Sequence, residues 1–114
     1  MREIKAYIRP MCANRVIKEL EAAGAKDMTL IRVDAITPLT YQGREGEAAS
    51  AKYITRYSGI AKLELVCRDG EARRFVEIIH AGAHTGKKGD GRIFVSSVDE
   101  AINVRTGETG EAAL

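Results

Sequence analysis

Between positions 85 and 92 the chain reads Thr85-Gly86-Lys87-Lys88-Gly89-Asp90-Gly91-Arg92, three glycines set among three cations and one carboxylate. Glycines lack a Cβ, so backbone N–H groups beside them can turn towards an anion and let it approach closely. Lys87, Lys88 and Arg92 supply positive charge, and a guanidinium such as Arg92 can take a phosphate in a two-pronged grip. The chemistry this suggests is phosphate binding. The spacing is neither that of a P-loop nor that of a dinucleotide fingerprint, and a glycine-rich turn carrying solubilising lysines would have the same composition. His80 and His84 stand four apart just upstream, a spacing that can hold a metal, but no third ligand is evident in the sequence. We therefore assign no metal; His80 reads as a cation near a helix C-terminus and His84 as a source of loop contacts. No Ser/His/Asp or Cys/His set can be assembled, so no catalytic residue is assigned. Slow ATP hydrolysis supported by Asp90 is the one enzymatic activity left open.

The elements that would position this loop follow from periodicity. Ile4, Ala6 and Ile8 alternate with Glu3, Lys5 and Tyr7, as in a half-buried strand that Pro10 ends. Asn14 is placed to cap a helix whose Val16, Ile17, Leu20 and Ala23 share a face, and Gly24 stops it. Strand alternation returns from Met28 to Ile36, with Thr29, Ile31, Val33 and Ala35 on one side. A third strand is read at Ala61, Leu63, Leu65 and Cys67. Asp69 then caps a second helix with Ala72, Phe75, Val76, Ile79 and Ala83 as its apolar stripe, and Ile93–Val98 supplies a fourth strand. The order β-α-β, connector, β-α-β is the split βαβ or ferredoxin-like arrangement, an α+β fold. Its two helices cover one sheet face; apolar residues such as Leu30 and Val66 are assigned to the other, which predicts association of subunits.

The connector from 37 to 58 is far longer than the usual turn between strands and holds Tyr41, Tyr53 and Tyr57. Long loops in compact folds tend to carry function, and tyrosines anchor interfaces at low entropy cost. Tyr41, Arg44, Tyr53 and Tyr57 are the candidate partner contacts. The 114 residues read as a single domain, 1–114, with 18 basic residues against 16 acidic ones, a formal net charge of +2. So balanced a charge argues against a nucleic-acid partner. No apolar run reaches the length of a membrane span and the N-terminus lacks the apolar stretch of a signal peptide, so a cytoplasmic protein without membrane insertion is expected. Cys12 and Cys67 read as reduced, buried residues.

The loop at 85–92 continues into Ile93-Phe94-Val95 and then Val98-Asp99-Glu100-Ala101-Ile102-Asn103-Val104-Arg105-Thr106-Gly107-Glu108. Together these resemble the PII family of nitrogen-regulatory signalling proteins. Ile8-Arg9-Pro10 resembles the family's opening Ile-Lys-Pro, Gly24 to Val33 its second-strand pattern, and Ala51-Lys52-Tyr53 with Lys62-Leu63-Glu64-Leu65-Val66 its Ala-Glu-Tyr and third strand. The likeness spans nearly the whole chain apart from about 37–50. It implies a homotrimer with an adenine nucleotide (ADP, AMP or ATP) in clefts between subunits. The nucleotide-binding set implied here is Thr29, Ile36, Thr37, Pro38, Val66, Thr85, Gly86, Lys87, Gly89, Asp90, Gly91, Arg92 and Arg105. Within it Gly89, Asp90, Gly91 and Arg92 hold phosphates, Thr29 and Val66 flank the base, and Arg105 reaches in from a neighbour's tail, 99–114. The segment 37–58 corresponds to the loop that inserts into membrane transporters or grips metabolic enzymes.

The departures bear on what is sensed. Thr37-Pro38-Leu39 stands where the family has Gly-Arg-Gln, whose glutamine helps hold the magnesium that recruits 2-oxoglutarate. Ile60 replaces the lysine that pairs with the 2-oxoglutarate carboxylate, and Asn103 replaces the first tail arginine. Tyr53 aligns with the family's modified tyrosine in an unlike surrounding, and is read as a packing or partner-anchoring residue. A regulator responding to a small anion such as bicarbonate, or to a metal, is the alternative function.

Overall fold

The computed structural model describes residues 1–40 and 53–114. Its elements are β1 (Arg2–Ile8), α1 (Pro10–Ala22), β2 (Thr29–Thr40), β3 (Tyr53–Cys67), α2 (Asp69–Ala83), β4 (Gly91–Ser97) and a short 3₁₀ helix at Gly110–Ala113. The sheet order is β2-β3-β1-β4, with each neighbouring pair antiparallel. This is the expected ferredoxin-like fold, with both helices on one face of the sheet.

Alternation in the strands decides which side chains meet those helices. Ile4, Ala6 and Ile8 of β1 and Ala61, Leu63, Leu65 and Cys67 of β3 are buried against Cys12, Ala13, Val16 and Leu20 of α1 and Ala72, Phe75, Ile79 and Ala83 of α2. Phe75, Ile4, Leu20, Leu63, Ile79 and Val16 are the largest fully buried side chains, each contributing about 1.5–3 kcal/mol of apolar burial. Both cysteines are free and buried; burial pushes the Cys67 thiol above its ordinary value, with a smaller contribution from Glu71.

Four expectations change in detail. Helix α1 starts at Pro10, with Arg9 rather than Asn14 at its cap position, because proline at the first helical position has its φ preset and loses no intrahelical bond. Asp69 is likewise the first residue of α2 and not its cap, which is Arg68; its carboxylate pairs with the Met1 amino group at 2.9 Å. Leu30 stands opposite Leu63, so it belongs to the helix-side face at the sheet edge, whereas Val66, opposite Glu3, does lie on the uncovered face. The ladder also runs well into the segment read as connector, pairing Thr37 with Arg56 and ending at Thr40 with Tyr53. Pro38 is tolerated there because β2 is an edge strand. Helix α1 does end where Gly24 was read as its stop: Gly24 has φ 94, and its N–H and that of Ala25 close on the carbonyls of Glu21 and Leu20 at 3.0 and 2.9 Å. Among the described residues, no helix is long and apolar enough to cross a membrane.

Candidate nucleotide site in two halves

The loop between α2 and β4 is organised around one carboxylate. Asp90 Oδ2 accepts the backbone N–H groups of Thr85 at 2.8 Å and Gly86 at 2.9 Å. Its Oδ1 accepts the Thr85 hydroxyl and, at 3.3 Å, the Arg9 Nε. Arg9 also donates from Nη2 to the Lys88 carbonyl at 3.0 Å. The Thr85 hydroxyl, followed by the Thr85 and Gly86 amides and by Arg9, holds the Asp90 carboxyl far below the usual carboxylate range, so Asp90 is an anion facing into the loop. Its side chain therefore braces the cradle, and the positive character offered to a ligand comes from elsewhere. Lys87, Lys88 and Arg92 are exposed. Among the described residues the backbone N–H groups of Lys88 and Gly89 have no acceptor.

Gly91 opens β4 with φ 112, and a Cβ there would lie 1.7 Å from the Tyr7 carbonyl oxygen. Only glycine lets the loop enter the sheet so close to β1. The next residue, Arg92, stands opposite Tyr7, on the face the helices leave uncovered. Tyr7 meets Phe94 edge to face at 5.9 Å, and Lys62 Nζ lies 5.6 Å from the Tyr7 ring centre. Lys62 also pairs with Glu64 at 2.7 Å, which raises the lysine and lowers the glutamate from their ordinary values.

The remaining candidate residues are elsewhere. Thr29 opens β2 at the far sheet edge, three strand spacings or about 14 Å from β4. Thr29 and Val66 share one pocket of about 450 Å3, with Ala113 and Leu114 on its wall and no cradle residue. The pocket beside the cradle, about 360 Å3, is lined by Asp90, Gly91, Arg92, Ile8, His80 and His84, and includes neither Thr29 nor Val66. Arg105 is carried on the C-terminal tail, whose end reaches the Thr29 pocket. The tail leaves β4 where the Val98 N–H meets the Met1 carbonyl, forms a turn closed by an Ile102–Thr109 bridge, and returns to that pocket at Ala113. Within the turn, Asn103 Oδ1 accepts the N–H groups of Arg105 at 3.0 Å and Thr106 at 3.1 Å, so the residue read as a lost charge shapes the turn carrying the remaining arginine. Ile36, Thr37 and Pro38 lie in the β2–β3 ribbon, beyond the row that joins Arg32, Ala61, Ile8 and Gly91. Tyr53 and Tyr57 are placed on β3 by backbone register, and Tyr41 and Arg44 fall outside the described residues. His80 and His84 stack at 5.3 Å, with His84 Nδ1 3.8 Å from Asp90.

The family model described as nitrogen regulatory protein P-II matches residues 1–108. The chain belongs to the P-II nitrogen regulatory protein family. It is 35% identical to the P-II protein of Rhodobacter capsulatus over the full length of both. It is 39% identical to P-II protein 2 of Methanothermobacter thermautotrophicus, covering all of this chain and 97% of that one. Among solved structures, the GlnK–ATP complex of B. subtilis superimposes with a TM-score of 0.87 at 26% identity, covering 99% of this chain and 96% of that one. Arg9 is the functional candidate that sequence reasoning passed over. Its signal was a cation at the end of β1, the strand that pairs with the start of β4, but the contact joins residues about eighty positions apart.

Proposed function

We propose that this P-II chain assembles as a trimer, binds ADP, AMP or ATP in the clefts between subunits, and passes the state of those clefts to a membrane transporter or metabolic enzyme through segment 37–58. The observation that carries this reading is the division of the candidate residues: one chain holds the glycine-rich cradle at one corner of its sheet and Thr29 and Val66, with the end of the tail that carries Arg105, at another. A head-to-tail contact apposes unlike surfaces of adjacent copies, and a closed ring repeats that contact at each interface. Exposed Phe94, Ile102 and Val104 add apolar surface that such a contact would cover. The ribbon at Ile36–Pro38 joins sheet to loop, so ligand contacts that differ between two ribbon states would shift the loop's population. The protein acts in this reading as a regulator and not as an enzyme.

The ligand follows from the donor set. Leucine as a residue type at 39 has no oxygen or nitrogen in its side chain for magnesium, and Ile60, half-buried on the uncovered face opposite Val33, offers no charge for a dicarboxylate. Asn103 leaves the tail one cation fewer for a terminal phosphate. ADP or AMP is therefore expected to compete well against ATP, without 2-oxoglutarate synergy. Titration calorimetry with the three nucleotides, with and without 2-oxoglutarate, tests the ligand; clear ATP preference with synergy would sink it. Mixing tests the geometry. In a one-to-one mixture of Arg92→Ala and Arg105→Ala chains exchanged into mixed trimers, about a quarter of the clefts should recover both arginines if they come from different subunits. No recovery would place both arginines in one subunit's site.

A further inference from the structure

We infer that Arg9 is the positioning residue of the phosphate cradle, fixing the direction in which the Gly89 N–H points; this rests on the nucleotide reading above. The argument begins with the peptide plane between Lys88 and Gly89. The structure has no cis peptide bonds, and in a planar trans peptide the carbonyl of one residue and the N–H of the next point in opposite directions. Arg9 Nη2 holds the Lys88 carbonyl at 3.0 Å. The Gly89 N–H therefore faces away from Arg9, and it has no acceptor of its own among the described residues. A donor so aimed, beside Lys87, Lys88 and Arg92, suits a phosphate oxygen.

The same guanidinium binds Asp90 through Nε at 3.3 Å, with both side chains partly buried, 31% and 22% exposed. Two prongs from one rigid plane thus hold a carbonyl and a carboxylate on the inner side of the loop, away from an incoming anion. A second, independent observation supports the seating. A Cβ on Gly89 would come 3.3 Å from Arg9 Nη2, and Gly89 has φ 102. Glycine at 89 thus leaves Arg9 room to lie against the loop. Arg9 itself sits between β1 and Pro10 at the start of α1, so its backbone is fixed before its side chain crosses to the cradle. Arg9 touches no phosphate in this arrangement; it acts through the peptide group it grips.

The test compares ligands with and without phosphate. Arg9→Ala is expected to weaken ADP binding about tenfold or more, the size of one charge-assisted hydrogen bond, while adenosine binding changes less than about twofold. Arg9→Lys keeps the charge but not the two-pronged plane, and should recover only part of the loss. In the amide spectrum, the Gly89 resonance of the wild type should move on adding ADP and should stay still in Arg9→Ala. Lys88→Ala, which removes a neighbouring charge but leaves the gripped carbonyl, should keep that movement. Full recovery by lysine, equal losses for ADP and adenosine, or an unaltered Gly89 response in Arg9→Ala would each overturn the role. Arg92→Ala separates the two levels: if it weakens ADP and Arg9→Ala does not, the cradle stands and Arg9 falls; if neither does, the cradle reading itself fails.

Discussion

The cradle and the tail turn are both short loops of exposed residues, and they are held in different ways. The cradle is braced by a charge: the Asp90 carboxylate gathers the Thr85 and Gly86 amides, the Thr85 hydroxyl and Arg9. The tail turn is held by a neutral amide, Asn103, which accepts the N–H groups of Arg105 and Thr106, while its own N–H and carbonyl bond Glu108 and Gly107 at 2.9 and 2.7 Å. The cradle is also tied to the body of the fold through β1, whereas Val104 on the turn is fully exposed. In the proposed site the cradle would be built in advance, whereas the tail turn would be covered only by a neighbouring surface.

That contrast is broken most severely at Gly91. Replacement by alanine forces an L-residue to φ 112 and drives its Cβ against the Tyr7 carbonyl. We expect a loss of about 3 kcal/mol in denaturant unfolding, together with loss of nucleotide binding. A Gly91→Ala protein of wild-type stability would show that the cradle does not enter the sheet this way. Arg92→Ala leaves the fold intact and should cost about 2 kcal/mol of ADP binding, roughly thirtyfold. Because Arg105 is carried by the less anchored half, Arg105→Ala should cost less than Arg92→Ala in the same titration. The reverse order would make the tail the dominant contact.

Asn103→Ala sharpens the tail side. It deletes one acceptor serving two backbone donors that water can reach, so a modest loss is expected, about 1 kcal/mol or fivefold in nucleotide affinity. Unfolding should be unchanged, since the turn is exposed. A large drop in unfolding stability would mean that the turn supports the core, contrary to its placement.

How much of this was readable in advance depends on the range of the contact involved. The core strands and helices were legible because Ile4, Ala6 and Ile8, or Phe75 and Ile79, repeat at the spacing of one buried face. Gly24 stood out as a stop because its conformation is a local property. The face of Leu30 was misread because register with Leu63 decides it, and register is a pairing between distant segments. The extended ribbon at 37–40 and 53–57 was hidden for the same reason. At the site, composition identified the glycines and cations, and the family resemblance set Asp90 among the residues holding phosphate. Its carboxylate could be recognised as a brace only once Thr85, Gly86 and Arg9 were seen to converge on it.

Acid should separate the two loops with the least perturbation of all, because no residue is changed. Asp90 titrates in the folded protein below its ordinary value. A group whose folded pKa is lowered contributes its stabilisation above the unfolded pKa, about 3.9 for an aspartate, and loses it as the pH falls through the lower folded value. From pH 7 to about 4.5 the contribution of Asp90 to stability should therefore be constant; below about 4 that contribution declines, while in the folded protein the carboxylate keeps its charge until the pH nears its lowered value. Asn103 does not titrate, so the tail turn has no corresponding transition. The Thr85 and Gly86 amide resonances of the folded protein should stay still through the ordinary aspartate range and move only as the pH approaches that lowered value, while those of Arg105 and Thr106 stay in place. In Asp90→Asn the acid-dependent movement at Thr85 and Gly86 should vanish. If cradle and tail amides instead moved together in the wild type, acid would be acting on the whole fold, and the contrast between a charged brace and a neutral one would not explain how the two halves are held.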